Sequence, residues 1–138
     1  MRSRIKLEFF FDCLSPFSYL AHSMLRRYVQ GGPWCDRVQI VLRPVLLAGI
    51  MSATGNTPPG ARPWAAAQAK HVQQDMARNR TFFNVDMKDP PSNFFGPSGP
   101  ADPAGLARNF AYMRMLNAVR ARHPARLPEA TRLTFDLI

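Results

Sequence analysis

The stretch from Ile5 to Gln30, IKLEFFFDCLSPFSYLAHSMLRRYVQ, changes its apolar period at a single point, and that change decides the fold. Ile5, Leu7, Phe9 and Phe11 alternate with Lys6, Glu8 and Asp12, with Phe10 breaking the polar side, so Ile5 to Asp12 predicts a strand largely buried on both faces. Phe17, Leu20, Ala21, Met24, Leu25 and Tyr28 then recur at three- and four-residue spacing, which predicts an amphipathic helix over Phe17 to Gln30, stopped by Gly31-Gly32-Pro33. Between the two lies Ser15-Pro16-Phe17-Ser18. Serine is a preferred helix N-cap and proline is favoured at the first helical position, so a cap worth about 1 kcal/mol accounts for Ser15-Pro16 by itself. The same junction sets a hydroxyl and several unpaired backbone N–H groups at the positive end of a helix, a place that holds an anion or a thiolate.

Outward from this junction, Val38 to Val45 is rich in β-branched and apolar residues and predicts a second strand, ended by Pro44. Strand, helix and strand in so short a span make a βαβ unit with a parallel sheet. Ala48 to Arg62 carries Gly49, Gly55, Asn56, Pro58, Pro59 and Gly60 and is expected to be a loop, with room for a short helical turn first. Pro63 to Arg80 predicts a helix opened by Pro63. Asn84 to Pro103 holds five prolines and two glycines and is expected to be irregular, with Phe94 and Phe95 plugging it into the core. Leu106 to Arg122 and Ala125 to Ile138 predict two further helices split by His123-Pro124. The chain is thus a single α/β domain, with a βαβ half over residues 1–48 and a loop plus helices over 49–138.

Composition narrows what such a domain does. An apolar share of 46% against 20% charged is globular, not disordered. Lys and Arg number 18 against 9 acidic residues, a net charge of +9 that favours anionic partners. The cations are scattered, and Arg108, Arg114, Arg120, Arg126 and Arg132 recur as on a solvated helix face, without the basic blocks or aromatic patterns of a nucleic-acid binder. No apolar run reaches membrane-spanning length, and Glu8 and Asp12 interrupt Met1 to Leu14, which rules out a signal peptide there. The expectation is a soluble intracellular protein, with cytoplasm, mitochondrion and peroxisome not distinguished. Two cysteines, Cys13 and Cys35, are too few for a disulfide framework, and with His22, His71 and His123 they form no metal-ligand spacing. Cys13 reads as a small buried hydrophobe, since it precedes the helix start and has no resolving partner at the needed spacing.

Ser15 and Ser18 occupy the layout of a Cys-x-x-Cys site at the head of a βαβ helix, with serine in both cysteine positions. Serine forms no disulfide, but it donates a hydrogen bond to another molecule's sulfur. Three strings in order, Phe10 to Leu20, Leu42 to Met51 and Gly55 to Pro59, resemble the kappa-class glutathione transferases, which are similar in turn to the 2-hydroxychromene-2-carboxylate isomerases; both belong to the DsbA-like branch of the thioredoxin superfamily. Leu116 to Val119 and His123-Pro124 resemble that family's helical insertion. The resemblance implies a thioredoxin-like fold, glutathione as co-substrate, a small electrophile as second substrate, no metal, no nucleic acid, and a homodimer in the full-length family.

Carried onto this chain, the resemblance implies that Ser15 hydrogen-bonds the glutathione sulfur, with Pro16 beside it, that Asn56 touches the tripeptide, and that Phe17 and Tyr19 lie on the substrate side. The family lysine that pairs with a glutathione carboxylate falls on Ala65 here, leaving Lys70 or Arg62 as the substitute. The family's chain runs on into the second half of the thioredoxin fold, whereas this sequence stops at Ile138. A two-stranded parallel sheet with an apolar open edge is expected to associate, and conjugation by these 138 residues alone is expected to be weak. The alternatives carried with the transferase are the isomerase, in which glutathione is recycled, and a non-catalytic fragment acting through its exposed strand edge.

Overall fold

Alternating apolar residues become a strand only where a partner satisfies their backbone, and the partner here is one crossover away. A computed structural model describes residues 3–56, 65–88 and 102–137. Strand β1 (Ile5–Phe11) leads through helix α1 (Pro16–Val29) to strand β2 (Val38–Pro44), and the two strands pair in parallel from Ile5 opposite Val38 to Phe11 opposite Pro44. Helices α2 (Leu47–Ala53), α3 (Ala65–Phe82), α4 (Pro103–Arg122) and α5 (Leu127–Leu137) follow, the last two separated by a single 3-10 turn at Pro124–Arg126. The βαβ unit and the His123-Pro124 break stand as the sequence predicts. The short helical turn allowed at the head of the Ala48 loop is present as α2, and Pro103, expected to close the irregular stretch, opens α4 behind the N-cap Asp102. Pro63, Arg62, Phe94 and Phe95 lie outside the described residues.

Burial of β1 differs from the expectation. Phe11 is 1% exposed, but Ile5 is 69% and Phe10 60% exposed, so the strand is not buried on both faces. Only its C-terminal end enters the core, where Phe11 packs with Cys13, Met113, Leu116, Leu127 and Phe135. Phe9 stacks on Phe11 at 5.5 Å and extends that cluster along one face. On the other face Glu8 pairs with Arg43 of β2, Arg43 Nε donating to Glu8 Oε1 at 2.7 Å, which keeps that side of the sheet wet and leaves Phe10 beside it. Burying Phe11 fully is worth about 2–3 kcal/mol, more than any surface ion pair on the opposite face.

Helix α1 ends as the glycines require. Gly31 adopts φ +81°, a left-handed conformation open to glycine at little cost, and Gly32 lies so close to the Arg27 and Tyr28 carbonyls that a Cβ would collide with backbone. From the last turn of α1, Arg27 reaches across to the end of α3. Its guanidinium donates to the carbonyls of Phe83 at 2.5 Å and Asn84 at 2.6 Å, a cation on carbonyls that the helix leaves unpaired. Asn84 itself is left-handed at φ 47°, a conformation asparagine tolerates better than most residues, and this ends α3.

Candidate functional site

The turn between β1 and α1 is held from beneath by Asp12. This carboxylate is 3% exposed, and its Oδ1 accepts from Leu14 N at 2.9 Å while Oδ2 accepts from Leu47 N at 2.7 Å and from Asn109 Nδ2 at 3.0 Å. One side chain therefore joins the end of β1, the start of α2 and the middle of α4. Leu46, at the N-cap of α2, offers no side-chain acceptor, so the carboxylate of Asp12 takes that place from a distant part of the chain. Asn117, about two helical turns further along α4, donates to the Pro44 carbonyl at 3.1 Å and fixes the end of β2 against α4.

On this base Ser15 caps α1. Its Oγ accepts from Ser18 N at 3.3 Å, its own N–H donates to the Asp12 carbonyl at 3.0 Å, and Pro16 follows at the first helical position. Ser18 turns inward, its Oγ accepting from Asp12 N at 3.4 Å. Capping uses a lone pair of the Ser15 oxygen and leaves the hydroxyl hydrogen to donate elsewhere. With Ser18 N engaged and no N–H on proline, the Phe17 N–H is the first-turn donor left outside the intrahelical ladder. A half-buried hydroxyl and one backbone N–H thus stand together at the positive end of a 14-residue helix that carries no acidic residue in its first turn.

The other residues singled out from sequence divide between this point and more distant elements. Pro16 and Phe17 are exposed beside Ser15, Phe17 at 41%. Tyr19 is half-buried, its hydroxyl donating to the Asp86 carbonyl at 3.2 Å and its ring meeting Phe135 edge-on at 5.6 Å, so both ends of the side chain are engaged in packing. Asn56 is exposed just beyond α2, with its N–H on the Met51 carbonyl at 2.8 Å. Lys70 is exposed on α3. The structure brings Ser15, Pro16 and Phe17 together and leaves Asn56 and Lys70 on separate elements.

Cys13 is 4% exposed and donates toward Met113 Sδ at 3.2 Å, inside the core as the sequence reading expects. Burial, with the Asp12 charge adding to it, pushes its thiol up to about 12, so it remains protonated and inert at neutral pH. His22 is also buried, its ring tilted by 31° against that of Phe135 at 5.1 Å; burial first and Arg26 second push its pKa down to about 4, with Asp136 opposing. It lines a groove of about 430 Å³ between α1, the sheet and α5, with Phe9, Leu25, Ile40, Leu42 and Arg132, which does not reach Ser15.

A family profile, the DSBA-like thioredoxin domain, matches residues 6–135. The chain belongs to this family. It is similar to glutathione S-transferase kappa 1 of Rattus norvegicus, 33% identical over 126 residues, which cover 91% of this chain and 50% of that protein. The Homo sapiens protein of the same name is 32% identical over 126 residues, with the same coverage. That of Caenorhabditis elegans is 29% identical over 86 residues, 62% of this chain and 35% of the relative. The chain therefore spans about half the length of the rat and human relatives. Among the described residues no helix is long and apolar enough to cross a membrane.

Asp12 and Asn109 carry the site's support and were not singled out from sequence. Asp12 was legible only as the polar end of a strand, and the one available signal was a carboxylate placed before a turn whose helix begins with serine and proline.

Proposed function

We propose that this chain binds glutathione and activates its thiol as a kappa-type glutathione transferase does. The Ser15 hydroxyl donates to the sulfur, and the free Phe17 N–H and the helix dipole add to its stabilisation as thiolate. A free thiol with a pKa of about 8.5 is mostly protonated at neutral pH, so any preference for the anion raises the reactive fraction. The proton leaves to solvent, and the thiolate then attacks an electrophilic carbon of a small substrate held on the Phe17 and Tyr19 side, forming the carbon–sulfur bond as the substrate's leaving group departs with its bonding electron pair. Asn56 contacts the tripeptide and Lys70 pairs with one of its carboxylates. The net charge of +9 favours an anionic peptide in the same sense.

The observation that supports this reading most is the orientation of Ser15: its oxygen caps the helix, which frees its hydrogen for a guest at the positive end. Titration calorimetry with glutathione and with its S-methyl ether tests it. Glutathione is expected to bind more tightly as pH rises through its bound thiol pKa, whereas the ether, which cannot ionise, shows no such rise. Equal pH dependence for the two ligands contradicts the reading.

A further inference from the structure

All four polar atoms of Asp12 are bonded, and they hold two separate helices. Its N–H donates to Ser18 Oγ at 3.4 Å, its carbonyl accepts from Ser15 N at 3.0 Å and its Oδ1 accepts from Leu14 N at 2.9 Å, so the turn that presents the Ser15 hydroxyl is folded around this residue. Its Oδ2 accepts from Leu47 N at 2.7 Å and supplies the cap that Leu46 lacks at the start of α2. The other end of α2 is fixed as firmly. Asn56 N donates to the Met51 carbonyl at 2.8 Å and Gly55 N to the Ser52 carbonyl at 3.3 Å, with Gly55 at φ +68°, the bonding pattern of a Schellman motif. The Thr54 hydroxyl adds contacts to the Ile50 and Met51 carbonyls at 2.9 and 3.2 Å. A seven-residue helix, rising about 10 Å, therefore carries the constraint that Asp12 sets at its head to the backbone of Asn56 at its foot.

We propose that Asp12 is a positioning residue for glutathione: it holds the Ser15 hydroxyl, which takes the sulfur, in register with Asn56, which takes the peptide. The role rests on the glutathione reading of Ser15. The sulfur and the peptide groups of one ligand are joined covalently, so both contacts form together only if the two helices keep a set separation. One carboxylate bonded to the turn before α1 and to the first N–H of α2 keeps it, and its charge strengthens both bonds. The same charge acts on a bound sulfur in the opposite sense, because a nearby anion disfavours a thiolate. Losing the charge alone therefore lowers the thiol pKa of the bound ligand, whereas losing the geometry at Ser15 raises it. That difference in sign separates the two contributions of Asp12.

Asp12→Ala removes all the carboxylate contacts at once. It is expected to raise the thiol pKa of bound glutathione by about half a unit or more, and to weaken binding of the S-methyl ether about tenfold, the equivalent of one hydrogen bond. Gly55→Ala is strained at φ +68° and loosens only the foot of α2, so it weakens the ether without moving the thiol pKa. Leu127→Ala, a core truncation outside these contacts, lowers stability and moves neither readout, which separates positioning from a general loss of stability. In the ligand-free chain, Asp12→Ala speeds amide exchange at both Ser18 and Asn56 by at least about tenfold relative to the amides of α5. Asp12→Asn keeps one oxygen and serves where the alanine variant does not fold; it is expected to weaken the ether or to raise the thiol pKa. A folded Asp12 variant with wild-type ether affinity and a thiol pKa that is unchanged or lowered overturns the role, while Ser15→Ala still raises that pKa. Unchanged exchange at Ser18 and Asn56 overturns the coupling without reference to any ligand. A bound thiol pKa that Ser15→Ala leaves unmoved defeats the glutathione reading itself, and this role with it.

Discussion

Replacing Asp12 by asparagine changes almost no volume and removes one charge, so its effect reads the hydrogen-bond geometry beneath the site. The carboxylate accepts three bonds, from Leu14 N, Leu47 N and Asn109 Nδ2, and an amide has only one oxygen to offer. In one orientation the amide NH2 faces the Leu14 N–H; in the other it faces Leu47 N–H and the Asn109 amide. Either way a buried donor loses its acceptor, at about 1–3 kcal/mol, and the bonds that survive lose their charge assistance. Relief from burying a charge offsets part of this. The net expectation is a loss of about 2–3 kcal/mol, a large share of the 5–15 kcal/mol typical of a domain. Urea denaturation followed by circular dichroism measures it. Asn109→Ala in the same background should then cost less than it does in the wild type, by about 1 kcal/mol, because its partner has already gone. A change below about 0.5 kcal/mol on Asp12→Asn, with Asn109→Ala simply additive, would refute the network.

The buried His22, the core residue Phe11 and the two cysteines each lead to a measurable outcome. His22, held neutral with its pKa near 4 against the ordinary 6.5, binds fewer protons folded than unfolded between those values, so its contribution is complete above pH 6.5 and is lost as pH falls toward 4. The loss approaches about 3 kcal/mol from the one group; denaturation midpoints of wild type and His22→Phe at pH 7 and pH 4.5 measure it, and a pH slope unchanged by the substitution contradicts the assignment. Phe11→Ala should cost about 3–5 kcal/mol by opening the centre of the core, read as a shifted urea midpoint, and a cost under about 1 kcal/mol would place the core elsewhere. Of the two free cysteines, half-exposed Cys35 should react with a thiol reagent in the native chain, whereas Cys13, protonated up to about pH 12, should react only at the rate of unfolding; mass spectrometry of single-labelled species checks it.

The βαβ order, the Ser15 cap, the glycine stop after α1 and the burial of Cys13 were legible because each is a local property of side-chain period, capping chemistry or backbone freedom. The burial of β1 was not, because Phe10 and Phe11 are identical in sequence and differ only in which lies beneath α4 and α5. A short helical turn from Ala48 was foreseen, but not how it is capped: the N-terminal donor of α2 is satisfied by Asp12, 35 residues earlier, and no capping residue stands at Leu46. The end of α3 depended on a left-handed asparagine and on Arg27 reaching from α1, both tertiary decisions. At the candidate site the cap was readable and its support was not, since Asn109 lies 97 residues from the carboxylate it meets. Tyr19 shows the same limit: its helical spacing fits a core residue and a substrate-side one equally well, and only the contacts to Asp86 and Phe135 show how its two ends are used.

The Ser15 hydroxyl as donor to a guest sulfur is the claim on which the functional account stands. Ultraviolet titration of thiolate absorbance for glutathione bound to wild-type chain and to Ser15→Ala measures it most directly, provided both are saturated with ligand. One lost hydrogen bond to a charged sulfur, about 1.5–3 kcal/mol, should raise the bound thiol pKa by about one to two units in the variant. An identical bound pKa in the two proteins would mean that the serine only caps its helix.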